Sequence, residues 1–427
     1  MTASLAVFLA VIALGVPIAF ALGGAAVIGL MLMDGVPLNV VATRTFGAID
    51  SFTLLAIPFF ILAGELMETG GISQRLMTLA RVLVGHVRGG LGNVVIVGMV
   101  FFSGISGSTQ ADAAAVGSVM LPSMKRHGYS AARAAAIVAA AAGMGILVPP
   151  CLTMVVYGSV TNTSIGALFA AGFLPAALMA VSLMAHQMID ARRAGLEPEE
   201  RASWGERARA FGSALWALLT PVIIFGGILG GVFTPTEAAV VAAVYALLVG
   251  VFIYREIKPA FLYRALVRTG VTSGIVMLMI AGANIFAWLM TVEQVPQTLA
   301  KLLQSIGGGP TLFLVLSVLV FLVLFALLDG LPGMLMITPV FVPLAQQLGV
   351  DLLHYGIVMT TVMGISLFLP PLGVGLFIVL GIAGASVREV TAHLLPYLAT
   401  MLAVALLIAF VPWFTYVVPV SLGLYKW

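Results

Sequence analysis

The densest chemistry in the chain is a run of small hydroxylated residues and glycines, Ser103-Gly-Ile-Ser-Gly-Ser-Thr109, centred in a stretch, residues 91–124, whose single charge is Asp112. Hydroxyls and free backbone carbonyls are what a hard cation such as sodium takes as ligands. Carbonyls are freed where prolines interrupt an apolar run. A proline removes a backbone donor and pushes the preceding residue out of helical geometry. The chain has two such places, Gly145-Ile-Leu-Val-Pro-Pro150 and Ser366-Leu-Phe-Leu-Pro-Pro371, and a fourth break is expected around Asp329–Gly333. A helix that begins after a break points N–H groups and the positive end of its dipole at whatever lies there, which suits an anion. No Lys or Arg occurs between residues 89 and 124 or between 302 and 387. A small organic anion would therefore be held by half-helix N-termini together with Ser106, Ser108 and Thr109, with Asp329 at the second break. Asp112 and Asp329 are functional candidates as ionisable groups at membrane depth. Packing is the alternative for isolated Ser and Gly residues, capping or pairing for Glu65 and Glu237, and plain burial for Cys151.

The elements that position these residues follow from composition. Of 427 residues, 62% are hydrophobic and 8% charged, and mean hydropathy is +1.18. A soluble domain is about 25% charged, so the chain is an integral membrane protein. Apolar runs at Leu5–Met33, Ala134–Val160, Trp216–Phe233 and Leu312–Leu328 approach or exceed the roughly 20 residues a spanning helix needs. They lack the short alternating strands of a barrel. Residues 1–33 read as a retained first span, without a basic leader region or cleavage site. A single cysteine excludes internal disulfides and cysteine metal clusters, and the five histidines show no metal-ligand spacing. The net charge of +3 and pI of about 9.1 come from basic residues scattered over loops, with no stripe of the kind nucleic-acid binders carry.

The only dense charge run, Asp190–Arg209 with five Arg and five acids, divides the chain into a first half (1–189), a linker (190–212) and a second half (213–427). Pro122, Pro149, Pro150 and Pro175 recur 221 residues later as Pro343, Pro370, Pro371 and Pro396, as do Gly128 and Gly143 as Gly349 and Gly364. Chance would match about 0.2 of four prolines at the usual frequency. The halves read as an internal repeat. Residues 91–124 and 310–343 are equivalent stretches of 34 residues, short for two crossings with a turn, and each is expected to be a re-entrant helical hairpin. Arg75, Arg81, Arg88, Lys125, Arg126 and Arg133 flank the first, whereas only Lys301 and Asp351 flank the second. By the positive-inside rule the hairpins enter from opposite sides, the linker and N-terminus are cytoplasmic, and the C-terminus is periplasmic. The fold class expected is an all-α polytopic membrane protein, an inverted-repeat secondary transporter with broken helices at the midplane. An ion channel or an intramembrane enzyme using Asp112 and Asp329 is the alternative. A channel needs continuous polar rings, and an enzyme a nucleophile or metal motif beside the aspartates.

Four segments in this order, Ala56-Ile-Pro-Phe-Phe-Ile-Leu-Ala-Gly-Glu65, Phe102-Ser-Gly-Ile-Ser-Gly-Ser-Thr109, Phe233-Thr-Pro-Thr-Glu-Ala-Ala239 and the Pro-Pro-x-Gly of Pro370–Gly373, resemble the large membrane subunit of tripartite ATP-independent periplasmic (TRAP) transporters over nearly the whole chain. The resemblance implies a sodium-driven importer of organic acids in the bacterial inner membrane, working by an elevator mechanism without ATP. It implies two partners, a small four-helix membrane subunit and a soluble periplasmic substrate-binding protein. It carries a first sodium site to Ser103, Ser106, Gly145, Val148 and Pro150, and a second to Gly330, Gly364 and Ser366. This chain has Leu369 and Val362 where many members have Thr and Asn.

Overall fold

The computed structural model describes residues 7–426 apart from 9, 13, 34–36, 70, 71 and 306. Residues 1–6 and Trp427 lie outside the described residues. Among those described there are helices and no strand, as a chain of this hydropathy requires: in hydrocarbon each backbone polar group must be satisfied within its own segment.

The helices in chain order are α1 (Ile18–Met31), α2 (Asn39–Ile49), α3 (Ala56–Thr69), α4 (Ile72–Val84), α5 (Gly90–Ser106), α6 (Thr109–Arg126), α7 (Ala131–Gly145), α8 (Leu152–Thr161), α9 (Ile165–Arg193), α10 (Trp204–Leu229), α11 (Pro235–Leu248), α12 (Pro259–Val292), α13 (Val295–Ser305), α14 (Pro310–Leu328), α15 (Gly330–Gln347), α16 (Leu352–Ser366), α17 (Val374–Ala383), α18 (Val387–Phe410) and α19 (Trp413–Ser421). Six helices among the described residues are long and apolar enough to cross a membrane, namely α9, α10, α11 with its short continuation, α12, α14 and α18. The α2 segment and the following helix, bent by 58°, make a seventh if counted as one span.

Local sequence explains the boundaries. Ser203/Glu206, Thr234/Glu237 and Ser386/Glu389 form reciprocal capping boxes that start α10, α11 and α18. Glu237 thus serves as a cap. Gly107 and Gly384, with φ of +66°, end α5 and α17 in the left-handed conformation, which glycine adopts without steric cost.

The 221-residue offset holds in the helices themselves. Thr109, Arg126, Ala131 and Gly145, which bound α6 and α7, land on Gly330, Gln347, Leu352 and Ser366, which bound α15 and α16. One assembly comprises α5–α9 and α14–α18, in which α7 packs on α5, α6, α16, α17 and α18. A second comprises α1–α4 and α10–α12, in which α12 runs against α1, α2 and α3. They meet where α4 packs on α5, α3 on α5 and α8, and α12 on α15.

Two details differ from the expectation. The first tip is tighter than Ser103–Thr109, because α5 stays helical through Ser106 and only Gly107 and Ser108 turn the chain. In the second hairpin Asp329 alone separates α14 from α15, and Gly330–Gly333 already form a helical turn. The 19-residue α14 is long and apolar enough to cross a membrane, and α5 is a shorter apolar helix of 17 residues. The linker is largely exposed and is tied to α4 by an ion pair. Its non-helical part is residues 194–203, where Glu199 accepts from Arg81 Nε and Nη2 at 2.7 and 2.6 Å and its backbone N–H donates to Gly85.

Candidate functional site at the helix breaks

Asp112 is the organising group of the first break. It is fully buried in the first turn of α6, and its partners are hydroxyls: Ser103 Oγ donates to Oδ2 at 2.5 Å and Ser106 Oγ to Oδ1. No Lys, Arg or His is paired with it among the described residues. A hydroxyl has one proton and two lone pairs. With both protons turned toward Asp112, the two serine oxygens keep lone pairs for a cation, and the carboxylate supplies the negative charge beside them.

The interruption after α7 lies against this cluster. A side chain at Gly145 would collide with Ser103 Oγ and lie 3.5 Å from Asp112 Oδ2. Gly104 faces Val148 and the Pro149 carbonyl, and a Cβ on Gly107 would fall 3.1 Å from the Pro150 carbonyl oxygen. The Leu152 N–H reaches the Gly107 carbonyl at 3.5 Å, so tip and interruption are stitched together. The structure therefore brings Ser103, Ser106, Gly145, Val148 and Pro150 into one neighbourhood. The Pro149–Pro150 and Pro370–Pro371 bonds are both cis.

The second set is less open. Gly330 packs on Met363, with a Cβ there falling 2.8 Å from its sulfur, which places it beside the Gly364–Ser366 end of α16. Ser366 Oγ donates back to the Val362 carbonyl at 2.7 Å. Gly364 spends its open face on a helix crossing, where its backbone meets Gly143. The hydroxyls of the first half have no counterparts here, because Ser103, Ser106 and Asp112 correspond at the same offset to Leu324, Leu327 and Gly333.

For an anion the two half-helix N-termini are unlike. Ser108 is the N-cap of α6, is exposed, and makes no side-chain capping bond. Ser108 lines an adjacent cavity of about 180 Å³ together with Ser106, Pro150, Thr272, Glu65 and Glu68. Thr109 is buried in that turn. At the second tip Asp329 Oδ1 accepts from Gly330 N at 2.6 Å, so the protein's own carboxylate already occupies the N-terminus of α15. Asp329 also has φ +67° and ψ 162°, a region that costs a non-glycine residue about 1–3 kcal/mol and clusters at functional sites.

One contributor was not singled out by sequence. Gln110 Nε2 donates to Asp329 Oδ1 at 2.9 Å, joining the two tips. Glu65, read from the sequence as a capping or pairing residue, pairs with Arg268 at 3.6 Å and also lines the cavity. A Gly64 side chain would meet the Ser106 carbonyl at 2.7 Å, which explains why the Ala-Gly-Glu segment carries glycine where α3 passes the tip. Cys151 is buried.

The family described as "Tripartite ATP-independent periplasmic transporter, DctM component" matches residues 5–414. Among similar proteins is the isethionate TRAP transporter permease protein DctMQ of Oleidesulfovibrio alaskensis, 39% identical over 93% of this chain. The chain spans 63% of that longer protein. The sialic acid TRAP transporter large permease protein SiaM of Vibrio cholerae is 38% identical over 95% of each chain. The C4-dicarboxylate TRAP transporter large permease protein DctM of Pseudomonas aeruginosa is 39% identical over 95% of this chain and 93% of its own. Among solved structures, the Alcanivorax borkumensis YdaH transporter shares the fold with a TM-score of 0.68 at 16% identity, covering 93% of this chain and 96% of its own. A match across nearly the whole length, together with paired helix breaks in an all-helical membrane protein, places this chain in the DctM family, the large permease subunits of TRAP transporters, and makes it a transporter rather than an enzyme.

Proposed function

We propose that the chain couples sodium entry to import of a small organic acid across the bacterial inner membrane, with the cation at the first break and the anion at the N-terminus of α6. The observation that carries this reading is the buried Asp112 with two serine protons turned toward it, which leaves an oxygen-rich, negatively charged pocket beside interrupted backbone. Similar proteins are named for isethionate, sialic acid and C4-dicarboxylates, all organic acids. A bare carboxylate in a low-dielectric site is costly, and with no Lys or Arg between 89 and 124 a co-bound cation supplies the balance. Gly330, Gly364 and Ser366 form the second sodium site in this scheme, and Asp329 approaches the anion through the cation it helps to hold. Membrane lipid surrounds the assembly. The small four-helix subunit and the periplasmic binding protein complete the tripartite system.

Uptake into proteoliposomes that carry both membrane subunits, supplied with the binding protein and its ligand, tests the coupling. We expect a sodium gradient to drive it and ATP to have no effect. Equal uptake in potassium without sodium would remove sodium from the mechanism.

We further propose that the halves 1–189 and 213–427, joined by the cytoplasmic linker 190–212, are inverted repeats whose hairpins 91–124 and 310–343 are re-entrant and move as one elevator unit. The matched ends of α6/α15 and α7/α16 and the basic flanks of the first hairpin alone support this. The N-terminus is then cytoplasmic and the C-terminus periplasmic. Single cysteines at His127 and Gln346, in a Cys151→Ser background, are expected to react with an impermeant maleimide from the cytoplasm and the periplasm respectively. Reaction of both from one side refutes the inversion.

A further inference from the structure

We infer that Gln110 is a positioning residue that couples the two sodium sites, by tying the first turn of α6 to the second hairpin tip. This rests on the proposed reading that both breaks hold sodium. Gln110 and Asp112 sit two residues apart in that turn, and residues so spaced do not share a helix face. Asp112 turns to one side and receives Ser103 and Ser106. Gln110 turns to the other and donates to Asp329 Oδ1 at 2.9 Å, across 219 residues of sequence.

Asp329 is placed to report what happens at its own tip. Its φ of +67° is one that L side chains rarely adopt, and the oxygen that accepts from Gln110 also accepts from Gly330 N. Gly330 packs directly on Met363, one residue before Gly364. A cation drawn into the Gly330–Ser366 region attracts the Asp329 carboxylate, and any movement of Oδ1 pulls on the Gln110 amide. That amide belongs to the turn whose other side holds the first hydroxyl pair. The turn is thus a short rigid lever between the sites, and coupling through it is reciprocal. The anion-binding N–H groups lie in the same turn, so they are set in place only when both tips are.

The test uses sodium alone as the probe, on the full chain purified with its small partner subunit. Sodium binding is followed with radioactive sodium and by melting temperature in sodium against potassium. The wild type is expected to bind sodium cooperatively. Gln110→Leu, similar in volume but without a donor, is expected to melt as wild type in potassium, to lose the cooperativity, and to weaken half-saturation by about fivefold or more, the lower end of usual coupling. Gln110→His, whose ring nitrogen donates at a similar reach, is expected to restore it; a merely space-filling role predicts no such rescue. If Gln110→Leu does not fold, Gln110→Glu, of equal volume and unable to donate when ionised, takes its place. Cooperativity unchanged in the donor-less variant, or absent from the wild type, overturns the inference while leaving two sodium sites intact. A wild type that binds no sodium overturns the inference and the reading beneath it.

Discussion

Asp112→Ala is expected to reduce sodium-driven uptake to background, the largest functional loss of any single substitution in the protein. Three effects add. The change removes the only charge between residues 91 and 124, and with it the counter-charge of the proposed cation. It strips the acceptor from two hydroxyls, the buried Ser103 and the half-buried Ser106, whose protons must then turn elsewhere, some of them toward the cation. It also opens a cavity at a fully buried position. Removing one partner of a buried charged interaction costs about 3–5 kcal/mol, which is more than a hundredfold in sodium affinity. Asp112→Asn separates these effects. It keeps the volume and one acceptor oxygen, so it should melt within a few degrees of wild type in potassium yet still lose the sodium-dependent increase in melting temperature. A wild-type sodium half-saturation in Asp112→Asn would show that the carboxylate only orders the serines.

The parts of this site legible in the sequence are those built from local chain. Ser103, Ser106 and Asp112 lie within ten residues, so a turn between two helices brings them together whatever the rest of the protein does, and Gly107 announces the turn. The helix ends at Gly145 and Ser366 follow from the Pro-Pro pairs, which no helix can run through. The 221-residue offset predicted matching boundaries because repeated breakers break repeatedly.

What escaped the sequence was made by tertiary contact. Gln110 is a lone uncharged side chain with no spacing signal, and its partner is 219 residues away; only the meeting of the two tips gives it a role. Arg81 and Glu199 looked like ordinary charges of a helix end and a linker until the chain folded one onto the other. Hydroxyl-rich composition also overstated the width of the first tip. Ser103 and Ser106 remain helical because a membrane helix leaves serine free to point sideways, and here both point at Asp112. The second N-terminus was read as an anion site from its position alone. Asp329 caps it instead, a distinction that depends on one side-chain torsion.

Gly143 and Gly364 carry the largest expected effect on stability. Sequence equivalence paired them, and the structure crosses their helices there: a Cβ on Gly364 would overlap the Gly143 carbonyl oxygen and approach Ile146 Cγ2 to 2.7 Å, and one on Gly143 would lie 2.7 Å from the Gly364 oxygen. The obstructing atoms are largely backbone, so they cannot rotate away as a side chain would. Either α7 and α16 separate or both helices bend. Small residues at such crossings are what lets membrane helices approach, and overfilling a packed interior costs about 1–3 kcal/mol or more. Against this, alanine is the better helix former by up to about 1 kcal/mol, a gain that Gly381→Ala, with no atom within 4 Å of the added carbon, receives without the clash. Gly364→Ala is therefore expected to melt well below wild type in detergent and Gly381→Ala at or slightly above it. Because α7 and α16 each lead directly into a proline break, the same separation also shifts Gly145 away from Ser103, so Gly364→Ala should weaken sodium binding at the first break, which it does not touch, as well as at the second, to which it belongs. Equal melting of the two variants would mean that the helices can part at this crossing without loss, and that the two breaks are held in place by something other than each other.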